Sequence, residues 1–139
     1  MAVQIGTSTN SEASPINWDG SIFLDAFDGY YSFLHPLITE LEEKTGQLID
    51  PWGDATFEGS DLLTLKDAVE AATKLVASQP FEWDVYVGDH CYYDAQQQFI
   101  REPMHTKVSK QEFSRLLEKL AGLIERAINE NGSVVCIGD

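Results

Sequence analysis

Three stretches of this chain set their apolar residues on one side of a helix. In the first, Phe23, Phe27, Tyr30, Leu34, Leu37 and Leu41 fall within about 40° of one line at about 100° per residue. Asp25, Asp28, Ser32, Thr39 and Glu43 lie opposite. Pro36 removes a backbone donor from this run and predicts a kink near His35 or two abutting helices, with Gly46 as terminator. The second stripe is Leu62, Leu65, Val69, Ala72 and Val76; it starts from Ser60 as N-cap, followed by Asp61, and must end before Pro80. The third starts at Ser109, where Glu112 completes a capping box, and packs through Phe113, Leu116, Leu117, Leu120, Ile124 and Ala127. Asn131-Gly132 stops it.

Alternation fills the gaps. Phe81, Trp83, Val85 and Val87 alternate with Glu82, Asp84 and Tyr86, which predicts a half-buried strand. Gln97–Arg101 returns beside it after a loop at Asp89–Ala95, and Ser133–Ile137 is the last strand. Gln47–Asp50 and Ala55–Phe57 flank the turn Pro51-Trp52-Gly53-Asp54 and read as a hairpin. Residues 1–17, rich in Ser, Thr and Asn, are either an arm or a short strand suggested by Val3 and Ile5. The expected fold is one α+β domain over residues 1–139, three helices packed on a single, mainly antiparallel sheet of about five strands.

Charge narrows the function. Residues 1–61 hold eleven Asp or Glu against Lys44 alone, and the remaining residues hold twelve against eight Lys or Arg, which completes the net −14. Such a surface repels phosphate and anionic lipid and attracts cations, so nucleic acid and membrane are excluded as expected partners and a basic protein is favoured. Acidity also serves solubility by itself. Within the acidic half, aromatic residues interleave with the acids. Asp19, Asp25, Asp28, Asp50, Trp52, Asp54 and Glu58 are the candidate partner-binding residues, with Trp52 either a plug beneath its turn or an exposed anchor. The start of the chain carries no signal-peptide pattern and no apolar run long enough to span a bilayer, so a cytoplasmic protein is expected.

Catalytic and metal chemistry find little footing. No phosphate loop, nucleophile elbow or HExxH motif occurs. The two cysteines, Cys91 and Cys136, are too far apart for a CxxC pair and are expected to be free thiols. Asp89, His90, Cys91 and His105 have the right chemistry for a metal, but no short paired spacing. Cys91 would need His35 or His105 brought to it by the fold. No catalytic residue, metal or cofactor is therefore assigned; the alternative reading is a small enzyme or ligand-binding domain using the Asp89–Tyr93 loop. A third is a subunit whose exposed aromatics meet another copy or partner.

The first helix with Phe27, Tyr30, Leu34 and Leu41, the segment Thr45–Asp54 and the Val134–Asp139 end resemble the small acidic immunity proteins of bacterial polymorphic and contact-dependent toxin systems. The resemblance implies a cytoplasmic protein that neutralises a cognate toxin by occluding it, without turnover. It transfers no individual contact residue. Combined with the charge, it leads to the expectation of a non-enzymatic inhibitor of a basic protein such as a nuclease toxin, acting through an acidic and aromatic surface.

Overall fold

The computed structural model describes residues 1–9 and 16–139, so part of the polar lead-in lies outside the described residues. In chain order the elements are β1 (Ala2–Ser8), β2 (Asn17–Asp25), α1 (Tyr30–Thr45), β3 (Ala55–Glu58) and α2 (Ser60–Ala77), then β4 (Glu82–Tyr93), β5 (Phe99–Ser109), α3 (Lys110–Asn129) and β6 (Ser133–Gly138). Four strands form an antiparallel sheet in the order β2-β1-β6-β3, and β4 pairs with β5 in a separate two-stranded ribbon. The class is α+β, as expected.

Alternation builds the main sheet. Val3 and Ile5 of β1, Ile22 and Leu24 of β2, Phe57 of β3, and Val134 and Cys136 of β6 are buried in one core with the helices. From α2 come all five expected residues, Leu62, Leu65, Val69, Ala72 and Val76. From α3 come Phe113, Leu117, Leu120, Leu123, Ile124 and Ala127. The Ser109 hydroxyl accepts the Glu112 N–H at 3.4 Å, so the α3 start is capped where the sequence places it. No helix among the described residues is long and apolar enough to cross a membrane.

Several expectations about elements need correction, among them the Ser60 cap: Ser60 is the first residue of α2, and Gly59 holds the N-cap position with no side-chain cap. The stripe beginning at Phe23 is not helical throughout: β2 runs to Asp25 and α1 starts at Tyr30. Ile22 and Leu24 alternate inward while Phe23 and Phe27 are 59% and 57% exposed, so the match of those two rings to a helical period is coincidental. Of the two outcomes expected at Pro36, abutting helices are overturned, because Pro36 lies inside the single helix α1. Gln47–Asp50 is not a strand, and β3 pairs with β6 instead. The Gln47 side chain nevertheless accepts the Thr56 N–H at 3.0 Å and covers one donor of β3, a strand at the edge of the sheet.

The largest departure is the ribbon. β4 joins no larger sheet, and the segment expected as the Asp89–Ala95 loop is strand through Tyr93. The apolar alternation at Trp83 and Val85 describes only the base of the ribbon, where α1 and α3 cover it. Trp83 lies against Phe33 of α1 (ring centroids 5.4 Å) and is stacked with Phe113 of α3 (6.1 Å). Beyond a bulge between Tyr86 and Gly88, strand pairing alone carries the fold outward to the Tyr93–Phe99 pair. Backbone pairing needs no hydrophobic period, which is why this part is hard to read as strand.

Candidate partner-binding face

The antiparallel register decides which acids share a surface. Ala2 of β1 stands opposite Asp25, Val3 opposite Gly138, and Ala55 of β3 opposite Cys136, so Asp25, Asp54 and the chain end lie at one end of the sheet. The Pro51–Asp54 turn is strapped to the same end. Gly138 N–H donates to the Gly53 carbonyl at 3.0 Å and to Asp54 Oδ1 at 3.1 Å, and Asp139 N–H donates to the Pro51 carbonyl at 3.0 Å. The approach requires glycine, because a Cβ at residue 138 would stand 2.5 Å from Gly53 N. Asp19 and Glu58 lie at the opposite end, beside Asn17 and Ser133. Six residues of extended strand separate Asp19 from Asp25, about 20 Å.

The candidate residues therefore divide. Asp25, Asp28, Asp50, Trp52 and Asp54 come together, whereas Asp19 and Glu58 do not join them. Trp52 is 58% exposed, so it is not a plug beneath its turn; Pro51 beside it is buried. Asp28 has a different task. Its carboxylate accepts N–H groups from Asp25 (2.9 Å), Tyr30 (2.9 Å) and Tyr31 (3.3 Å), closing the turn into α1 where Gly29 offers no side-chain cap. Burial raises its pKa above the usual 3.8, opposed by those three hydrogen bonds, and the Asp25 charge adds to the rise. Asp28→Ala is expected to lower stability by about 1–2 kcal/mol, the loss of a helix-start cap, and Asp28→Asn by less. Urea melts measure both; an unchanged Asp28→Ala midpoint would return the residue to the free acidic surface.

The ribbon completes the face with a residue the sequence did not single out. Thr106 of β5 donates its hydroxyl to the Phe27 carbonyl at 3.1 Å, which holds the β2–α1 turn against the ribbon base. Gly29, at φ 87°, makes the contact close: a Cβ there would stand 2.6 Å from Val108 Cγ1. Tyr86 is thereby brought into a cleft of about 360 Å³ with Phe27, Tyr31, His35, Trp52 and Val87. Tyr31 is fixed by donating its hydroxyl to the Ile49 carbonyl at 3.0 Å. Its pKa is raised, first by burial and then by the charges of Asp50 and Glu42. Alternation along β4 marks Tyr86 as outward-facing, but only the crossing of ribbon and turn shows what it faces.

The exposed rings of the cleft have acids close to their backbones, although no carboxylate is among the residues that line it. Asp25 Oδ1 accepts the Phe27 N–H at 2.8 Å, and Asp50 Oδ1 accepts the Trp52 N–H at 3.0 Å. Asp89 acts on the Tyr86 hydroxyl and raises the pKa of that tyrosine. Asp89 is also 3.6 Å from Arg101, so its charge is partly matched. The arrangement offers apolar ring faces in a negative field. That suits a cationic or mixed apolar and cationic surface better than an anionic one.

No family model, curated protein or solved structure matches this chain.

The cysteine and histidine candidates are spread out. His90 and Cys91, neighbours on β4, project to opposite faces of the ribbon, opposite Glu102 and Arg101 respectively. His105 packs on Tyr86 (5.8 Å) and is four strand residues from Arg101, about 13 Å. His35 lines the cleft, whose lining includes neither Cys91 nor His90. Among the described residues no three of His, Cys, Asp and Glu gather as metal ligands would. Both thiols are free, Cys91 exposed and Cys136 buried.

Burial pushes the Cys136 thiol from 9.0 up to about 12, with a smaller push from the Asp54 charge. Between those values the folded chain keeps a proton that the unfolded chain loses. The stability contribution is present in full below pH 9 and is lost as pH rises towards 12. The expected slope is roughly 1.4 kcal/mol per pH unit at most, up to about 4 kcal/mol in all. Denaturant melts from pH 8 upward should show a decline for the parent that Cys136→Ala flattens. Parallel curves for the two proteins would show that the thiol titrates alike in both states.

Proposed function

We propose that this chain is a non-enzymatic, cytoplasmic binding protein that neutralises a cognate basic protein by occluding it, in the manner of the bacterial immunity proteins its sequence resembles. A nuclease toxin is the partner class that fits best, because carboxylates can stand where nucleic-acid phosphates would in a cationic cleft. The observation that carries the reading is the pairing of exposed aromatic anchors with carboxylates on one face: Trp52 at 58% and Phe27 at 57% exposure, with Asp50 and Asp25 fixed at their backbones. Large exposed rings supply a dry contact centre, and the surrounding charge steers the encounter.

The test is inhibition stoichiometry. The basic protein retained by the tagged chain from its own host should lose activity in proportion to the amount of chain added, saturating at one to one. Complete inactivation by a small substoichiometric amount would mean turnover and sink the occlusion reading, as would retention of no basic protein at all. Tyr93 and Phe99, 68% and 54% exposed at the ribbon tip, favour a second reading in which the ribbon serves a larger assembly. A monomer at every concentration in sedimentation would remove it for self-association.

A further inference from the structure

We infer that the cleft between the β2–α1 turn, the Trp52 turn and the ribbon bulge is a receptor for one arginine side chain of the basic partner. This deepens the proposed function and rests on it. The cleft is about 360 Å³, within the range of roughly 300–1,000 Å³ typical of small-ligand sites, and it accommodates a single long side chain. Its exposed walls are the rings of Phe27, Trp52 and Tyr86, supplied by three separate segments of the chain.

Charge complementarity selects the occupant. An aliphatic or aromatic side chain would bury against the rings but leave the adjoining carboxylates without a counter-charge. An anion would be repelled by them. A cation satisfies both features, since ring faces attract it through their quadrupole and the carboxylates through their charge. Asp50 and Asp25 are each held by one oxygen on the backbone of a cleft residue, at 3.0 and 2.8 Å, so their charge stays at the rim while neither lines the cleft itself. Among cations, guanidinium fits best. It is planar, so it stacks on a ring face, it carries donors along its edge for carboxylate oxygens, and it is less strongly hydrated than ammonium.

The probe is a capped Gly-Arg-Gly peptide, with Gly-Lys-Gly and Gly-citrulline-Gly as matched comparisons. Citrulline keeps the planar shape and loses the charge. The reporter is the indole N–H signal of Trp52 in a nitrogen-labelled NMR titration, assigned by its disappearance in Trp52→Phe. The arginine peptide should shift this signal saturably, and more tightly than the lysine peptide by about two- to fivefold, the scale of an exposed cation–π contact. Citrulline should not shift it. Asp50→Asn, which keeps the acceptor for the Trp52 N–H, should weaken arginine binding by a similar factor. Equal binding of citrulline and arginine peptides, or arginine shifts only at Trp18 or Trp83, would overturn the inference. The two levels separate cleanly. Partner capture that survives the combined Phe27→Ala and Trp52→Ala change refutes the arginine receptor and leaves the acidic face standing. Saturable arginine binding in a chain that inhibits no basic protein supports the receptor and refutes the neutralising role.

Discussion

Phe113→Ala is expected to lower the free energy of unfolding by about 3–5 kcal/mol, the range for removing a buried aromatic ring. Phe113 is 0% exposed. Its ring meets Tyr30 edge-on at 4.8 Å and Phe33 edge-on at 5.3 Å, and lies nearly parallel to Trp83 at 6.1 Å. The substitution thus removes the contacts that α3 makes with α1 and with the ribbon base at once, and rigid rings on those two elements cannot both close the space. A typical domain of this size has about 5–15 kcal/mol in total, so the variant should be folded only marginally. Phe113→Leu separates the components, since it keeps much of the burial but loses ring pairs worth about 0.5–1.5 kcal/mol each. Urea melts give the size of the loss. Amide exchange should also quicken more at Trp83–Val85 and Thr106–Val108 than in β1 or β6, because the aromatic cluster packs directly on the ribbon base. A shift under about 1 kcal/mol, or uniform loss of protection, would mean that the aromatic cluster is not what docks the ribbon.

Removing the charge at one end of the sheet should slow partner capture without altering the fold. Asp25→Asn, Asp50→Asn and Asp54→Asn together keep the side-chain acceptors for Phe27, Trp52 and Gly138 while deleting three charges. The association rate with the basic partner should fall by about tenfold or more at low salt, the lower end of electrostatic steering effects. Salt should shrink the gap between variant and parent, because the screening length falls from about 10 Å at 0.1 M to about 3 Å at 1 M. The matched control is Asp19→Asn with Glu58→Gln and Glu118→Gln, exposed acids away from this face. Glu125 is unsuitable as a control, since it is paired with Lys66 at 3.0 Å. Asp28 is unsuitable in the test set because of its role at the start of α1. Trp52→Ala should act differently, raising the dissociation rate by removing a contact that forms only after docking. Stopped-flow mixing at two salt concentrations distinguishes these effects. Equal slowing by both triple variants would make the acidity a trait of the whole chain rather than of a face, and the proposed mode of binding would fail.

Much of the helical layer was legible along the chain. The stripes of α2 and α3, the Ser109 cap and the stop before Pro80 depend on residues within one or two turns of each other, so their pattern is local. The neighbourhood of Trp52 and its flanking acids was legible for the same reason. Chain-distant pairing was not. Phe23 and Phe27 satisfy a helical period, yet β2 forms because β1 offers it a ladder and the core takes Ile22 and Leu24. β4 reads as a strand from its first residues, but its length and its isolation from the main sheet depend on β5, whose outer half has no apolar period. The candidate face follows the same division. Composition determined that one half of the chain is strongly acidic and carries aromatics. Only the antiparallel register sent Asp19 and Glu58 to the far end, only the hydrogen bonds of Asp28 made it a structural cap, and only the ribbon crossing brought Tyr86 to Phe27 and Trp52. The Asp28 bonds are local and depend on how the turn into α1 folds, whereas the register and the ribbon crossing are set by contacts between segments tens of residues apart, which a pattern of neighbours does not encode.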